Sequence, residues 1–85
     1  NVALISVADG TEKVTNYPKL FRYVDAVLIN KMDALPYFDF DYDKAAGFIR
    51  SCNPRAALLP LSAKTGIGMT EAADYFEEAY ENWRK

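Results

Sequence analysis

Histidine is absent from the 85 residues, and cysteine occurs once, at Cys52. The commonest general base near neutral pH and the commonest nitrogen ligand for transition metals are therefore both missing. Any proton transfer or metal binding has to come from other groups. A single thiol cannot close an internal disulfide, no basic stretch leads into an apolar one, and no apolar run approaches the roughly 18 residues of a membrane helix. These absences predict a reducing, cytoplasmic setting. Positive charge is also scarce: ten Lys and Arg are spread along a chain of net charge -2, which gives no electrostatic footprint for nucleic acid. Internal repeats, low-complexity tracts and Gly/Ser linkers are missing too.

What is present is a hydrophobic share of 51%, enough for a small core in one domain or part-domain. Val2 to Val7 form a nearly continuous apolar run that ends at Asp9-Gly10, as expected of a strand covered on both faces in a parallel sheet. Ala26-Val27-Leu28-Ile29 repeats the signature and stops at Asn30. A third run, Ala56 to Leu61, follows the breaker Asn53-Pro54 and stops at Ser62. Between them the pattern turns helical. Pro18 sits at a first helical position, with Leu20, Phe21 and Val24 at helical spacing, which predicts a short helix. A second helix is expected to start near Asp39 or Asp41, with the apolar stripe Tyr42, Ala45, Ala46, Ile49 and Cys52 and with Arg50 near its C-terminal end. A last helix is expected from Gly68 to Thr70 onward. It places Ala72, Ala73, Phe76, Ala79, Tyr80 and Trp83 on one side, with Arg84 and Lys85 late.

Strands joined by helical crossovers wind right-handed, so the expected fold is α/β: a three-stranded parallel sheet in sequential order with crossover helices. Ligands of such sheets bind beyond the carboxyl ends of the strands. Asn30-Lys31-Met32-Asp33 follows the second strand directly, and Ser62-Ala63-Lys64-Thr65-Gly66 follows the third. Guanine presents its N1-H and 2-amino group side by side, and one carboxylate at Asp33 can accept from both. Adenine offers no such pair and would leave the carboxylate unpaired, a penalty that can reject the wrong ligand by roughly 10⁴ or more. Asn30 can donate to the base or brace the neighbouring loop. The aliphatic stems of Lys31 and Lys64 can lie against the two faces of the ring while their ammonium groups stay in water. Ser62 and the backbone N-H of Ala63 are placed to meet the guanine O6, and Gly66 permits the tight turn into the last helix. The alternative reading keeps Asn30 and Asp33 as turn formers and both lysines as solvated charges. One N-K-x-D match is weak, whereas two loops after neighbouring parallel strands are much more specific.

The chain resembles the nickel-incorporation GTPases of hydrogenase and urease maturation, the HypB family. The similarity runs through Leu4 to Gly10, Tyr17-Pro18-Lys19-Leu20-Phe21-Arg22, Ala26 to Asp33, Leu35-Pro36-Tyr37, Asn53-Pro54 and Ser62 to Gly66, nearly the whole chain. The Tyr-Pro-x-x-Phe-Arg and Leu-Pro-Tyr segments discriminate more than the guanine motifs, which most GTPases share. The Ser-Ala-Lys-Thr-Gly loop favours the hydrogenase branch over the urease relatives. The resemblance implies that residues 1–85 are a single partial domain, the C-terminal, guanine-specificity half of a P-loop GTPase domain with a Rossmann-like fold. It implies binding of GTP or GDP, a GTP-dependent step in delivering nickel to a hydrogenase precursor, nucleotide-dependent homodimerisation and a partner nickel metallochaperone. Mg²⁺ and nickel or zinc are expected only in the full-length protein, because the family's Cys-His metal pair lies upstream of the matched region. No G-x-x-x-x-G-K-[ST] loop occurs in the chain. Without it, base recognition cannot become phosphoryl transfer, so the chain alone is expected to be inactive as a GTP hydrolase.

Other signals read as structure. Asp39, Asp41 and Asp43 alternate like the start of a calcium loop, but its sixth and twelfth positions would be Lys44 and Arg50, which excludes an EF-hand. Cys52 falls on the apolar stripe of a helix and reads as packing, and Glu77, Glu78 and Glu81 as a solvated face. Asp9, Gly10, Thr11 and Glu12 read as a turn. Tyr37, Phe38, Phe40, Tyr75 and Tyr80 include more aromatic surface than so small a core can cover. The first strand is expected to be a bare apolar edge. A rival function follows from those last two features: a non-catalytic interaction or dimerisation module with vestigial base motifs.

Overall fold

A computed structural model describes residues 1–62 and 64–84, with the Arg84 side chain left aside. Lys85, expected late in the last helix, lies outside the described residues. Three parallel strands, β1 (Val2–Ser6), β2 (Ala26–Asn30) and β3 (Ala57–Pro60), form one sheet in the order β1-β2-β3. Ala3 stands beside Val27, which stands beside Leu58. The α/β fold expected from the alternating apolar runs is therefore the observed one, and sequential order places the loops after β2 and β3 side by side.

β1 ends where Ser6 caps a 3-10 turn, Val7–Asp9. The Ser6 hydroxyl accepts from Ala8 N-H at 3.2 Å, and the Asp9 carboxylate accepts from Ser6 N-H at 3.3 Å, a reciprocal capping box. Gly10 then takes φ 85°, and α1 (Thr11–Thr15) follows. The stretch read as a turn thus contains a short helix. The helix expected at Pro18 is instead a single 3-10 turn, Pro18–Leu20. Proline bars a helical conformation at Tyr17, which sits at φ -128° and ψ 63°. Beyond the turn, the Asn53 side-chain amide donates to the carbonyls of Phe21 and Val24 at 2.9 and 2.8 Å and holds that backbone in a bend. Phe21 is fully buried beneath it.

α2 (Tyr42–Cys52) starts at Asp41, whose carboxylate accepts from Lys44 N-H at 3.1 Å. Ala45, Ala46 and Ile49 on its stripe are buried, and Tyr42 and Cys52 are half-buried. α2 and α1 cover one face of the sheet, enclosing Ile5, Val7, Val14, Phe21, Val27, Ile29, Phe40, Ala45 and Ile49. Each fully buried Phe or Ile in such a cluster contributes about 1.5–3 kcal/mol of transfer free energy.

α3 (Met69–Arg84) lies on the other side and is only lightly attached. The Tyr75 hydroxyl donates to the Asp25 carbonyl at 3.2 Å, and Ala72 is buried. Its apolar stripe otherwise faces outward: Tyr80 is 57% and Trp83 81% exposed, with their rings 6.1 Å apart. On the same sheet face Leu4 is 66% exposed. The uncovered aromatic surface and bare β1 edge expected from the sequence are both present, although Phe40 is buried and Tyr75 half-buried.

Candidate functional site

The site is built where β2 and β3 end. Asn30 closes β2, and its side-chain oxygen accepts from Lys31 N-H at 2.8 Å. That local bond supports a left-handed turn at Lys31 (φ 61°, ψ 41°), the one non-glycine residue with positive φ among the described residues. Such a conformation costs about 1 kcal/mol or more at a non-glycine residue. It swings the chain sharply into the 3-10 turn Met32–Tyr37, which carries Asp33 in its first turn.

The two loops are stitched together by backbone first. Leu61 N-H donates to the Ile29 carbonyl at 2.9 Å, and Met32 N-H donates to the Leu61 carbonyl at 3.1 Å. The second loop is closed on itself: Ser62 N-H reaches the Ile67 carbonyl at 2.8 Å, and Gly66 N-H reaches the Ser62 carbonyl at 2.8 Å. Gly66 and Gly68 take φ of 82° and 76°, conformations open to glycine at little cost. At Gly68 the reason is also steric, because a Cβ there would lie 2.0 Å from the Pro60 carbonyl oxygen.

Ser62 is 0% exposed and its hydroxyl joins the loops. It donates to Asp33 Oδ1 at 2.6 Å and accepts from Thr65 N-H at 3.2 Å. The short bond to Ser62 holds the Asp33 carboxyl below its ordinary value of 3.8; partial burial opposes this, while a bond from its own backbone N-H and the charges of Lys64 and Lys31 assist. A carboxylate has about four lone-pair directions, and the Ser62 hydroxyl and the Asp33 backbone N-H occupy two. The rest can accept from a ligand that offers two donors side by side.

Asn30, Lys31, Asp33, Ser62 and Lys64 are thus at one end of the sheet, with Lys31 and Lys64 exposed. Ala63, expected to offer its backbone N-H, lies outside the described residues. The Ser62 donor proton points at Asp33, so contact with a base oxygen would need the hydroxyl to turn. The sequence did not reveal the brace behind the first loop: Thr11 Oγ1 accepts from Asp41 N-H at 2.7 Å, and Thr11 N-H donates to the Asp39 carbonyl at 3.1 Å. Only the fold brings those residues together, 30 positions apart. Among the described residues no group of three or more His, Cys, Asp or Glu is placed to hold a metal ion, and no helix is long and apolar enough to cross a membrane.

Comparison with known proteins gives one consistent answer. No protein-family model matches the chain. The hydrogenase maturation factor HypB of Azotobacter vinelandii is 38% identical over 76 residues, which cover 89% of this chain and 25% of that protein. The crystal structure of HypB from Archaeoglobus fulgidus superposes with a TM-score of 0.87 at 31% identity, over 92% of this chain and 38% of that one. HypB from Helicobacter pylori, solved in complex with nickel, superposes equally well, with a TM-score of 0.87 at 28% identity over 96% of this chain and 38% of that one. The chain spans about a quarter of the length of the curated relative.

Proposed function

Over the region it spans the chain belongs to the HypB family of hydrogenase maturation factors, and from that premise we propose that it is the guanine-reading part of a GTPase that delivers nickel to a hydrogenase. The observation that carries the reading is the 2.6 Å bond from Ser62 to Asp33, which fixes an ionised carboxylate between the two loops. A carboxylate so held accepts from the guanine N1-H and 2-amino group together. Lys31 and Lys64, exposed on either side, supply aliphatic stems for the ring faces and charges that favour the carboxylate. Asn30 and Ser62 act as braces: one sets the Lys31 turn, the other aims Asp33.

The chain holds no phosphate loop, so its residues do not fit Mg²⁺ or a transferring phosphoryl group, and no hydrolytic step is assigned to it. In this reading GTP hydrolysis, Mg²⁺, dimerisation and the nickel or zinc site belong to the rest of the longer proteins. A nickel metallochaperone and a hydrogenase precursor are the partners there. A base pocket without its phosphate cradle lacks the strongest charge contacts, so affinity of order millimolar is expected.

The test is an NMR titration with GDP and, separately, ADP. GDP alone should shift the amides of Asn30 to Asp33 and Ser62 to Gly66. Asp33→Asn should move preference from guanine toward xanthine, because the amide supplies a donor where that base has a carbonyl. Equal shifts with ADP, or none at millimolar nucleotide, would transfer the assignment to a protein-interaction module.

A further inference from the structure

The loop after β1 takes no part in reading the base, yet it is built against the loop that does. Ser6, the last residue of β1, stands beside Asn30, the last of β2, so the two loops leave the sheet at the same level. The 3-10 turn Val7–Asp9 then packs on the 3-10 turn Met32–Tyr37, which presents Asp33. Residues 9–12, a turn by their sequence, therefore lie behind the site.

The two ends of the Asp33 turn are fixed by different means. Its start is set by the left-handed Lys31 and by the bond from Met32 N-H to the Leu61 carbonyl. Its far end runs out through Tyr37 and Phe38, both exposed, into the exposed Asp39, and Pro36 inside the turn has no N-H to tie it back. That end is held by the burial of Phe40 and by Thr11. Thr11 N-H donates to the Asp39 carbonyl at 3.1 Å, and Thr11 Oγ1 accepts from Asp41 N-H at 2.7 Å and donates back to the Asp39 carbonyl at 3.5 Å. One half-buried hydroxyl thus grips the backbone on both sides of Phe40.

Asp39 and Asp41 are exposed, so water can replace the Thr11 hydroxyl at little cost in folding free energy. What water cannot replace is the position of the segment. The short bond from Ser62 to Asp33 is an O-H···O bond to a carboxylate, which depends on alignment, and the turn has to hold Asp33 still for it to form.

We propose that Thr11 is a positioning residue for the Asp33 carboxylate: through Asp39 and Asp41 it holds the far end of the turn that presents Asp33 to Ser62. Its effect on base binding rests on the guanine reading, whereas its effect on Asp33 does not, and the two are measured separately.

The test uses Thr11→Val, which keeps the shape and removes the hydroxyl, and Thr11→Ser, which keeps the hydroxyl. Asn53→Ala, which loosens the amino end of the sheet, serves as the control for general destabilisation. Lys31 and Lys64, whose charges also act on Asp33, are unchanged throughout. In Thr11→Val the Asp33 carboxyl ¹³C resonance should titrate at higher pH than in the parent, and GDP affinity should fall roughly threefold or more. Thr11→Ser should restore both. Asn53→Ala should alter neither. A parent-like Asp33 titration in Thr11→Val would overturn the proposal, and so would a serine variant that restores nothing. An equal change in Asn53→Ala would overturn it as well, by reducing the effect to stability. If the parent chain binds no GDP, the guanine reading fails, and the Asp33 titration still decides the role of Thr11.

Discussion

At the scale of single residues, Ser62 decides how the Asp33 carboxylate behaves. Its hydroxyl stabilises the ionised form of Asp33, so the folded-state pKa lies below 3.8. For a depressed carboxyl the linked stability is present above the unfolded pKa and is lost as pH falls through the folded one. Asp33 should therefore stay ionised to lower pH than an ordinary aspartate, and the proposed guanine binding should persist with it. Ser62→Ala removes the largest favourable cause, so the Asp33 carboxyl ¹³C resonance should titrate at higher pH in the variant than in the parent. GDP affinity should fall with it, by roughly tenfold for a lost charge-assisted bond. An unchanged titration would remove Ser62 from the site. Asn53 makes the same kind of argument for stability. Asn53→Ala leaves the Phe21 and Val24 carbonyls without their donor, with an expected loss of about 2 kcal/mol in urea unfolding. Asn53→Asp, isosteric but without donors, should cost at least as much.

At the scale of elements, the turn from β3 into α3 depends on glycine for two independent reasons. Gly68 combines φ 76° with a hypothetical Cβ 2.0 Å from backbone oxygen, an atom that cannot move aside as a side chain could. Gly68→Ala should cost about 2 kcal/mol or more and loosen the loop that carries Ser62. Gly47, in the middle of α2 with nothing within 4 Å of a hypothetical Cβ, behaves in the opposite way. Gly47→Ala should stabilise by about 0.5–1 kcal/mol through helix propensity and a stiffer unfolded chain. Parallel denaturation curves of the two variants check both signs in one experiment. The same elements show what the sequence could reveal. Strands β1 to β3 and the start of α2 were legible because continuous apolar runs and the Asp41 cap are local signals. The helix expected at Pro18 is limited to the 3-10 turn Pro18–Leu20, and the Asn53 amide that bends the backbone beyond it lies some thirty residues away in sequence. Asp33 and Ser62 were readable as members of two loops, but the bond between them depends on strand order and on a left-handed turn at Lys31 that no local pattern announces.

At the scale of the whole molecule, the sheet has two unlike edges. β3 is closed: Pro60 brings no N-H, and the Gly68 turn lies against its carbonyl. β1 is open. The Asn1 carbonyl accepts from Asp25 N-H, so alternation turns the backbone groups of Val2 and Leu4 away from β2. Their side chains lie on the face that α3 leaves largely bare, 46% and 66% exposed. An unpaired strand with apolar side chains and no charge of its own is a template for pairing with another chain. The isolated chain should therefore self-associate as concentration rises, seen as a growing mass in light scattering. Leu4→Lys should suppress that growth, because a charge on the open face opposes edge pairing. It should leave the melting temperature within about 2 °C, since Leu4 buries little to lose. A strictly monomeric parent at high concentration would mean that α3 swings over the β1 face in solution. In that case Leu4→Lys would lower the melting temperature instead, so the two measurements together separate intermolecular pairing from an intramolecular cover.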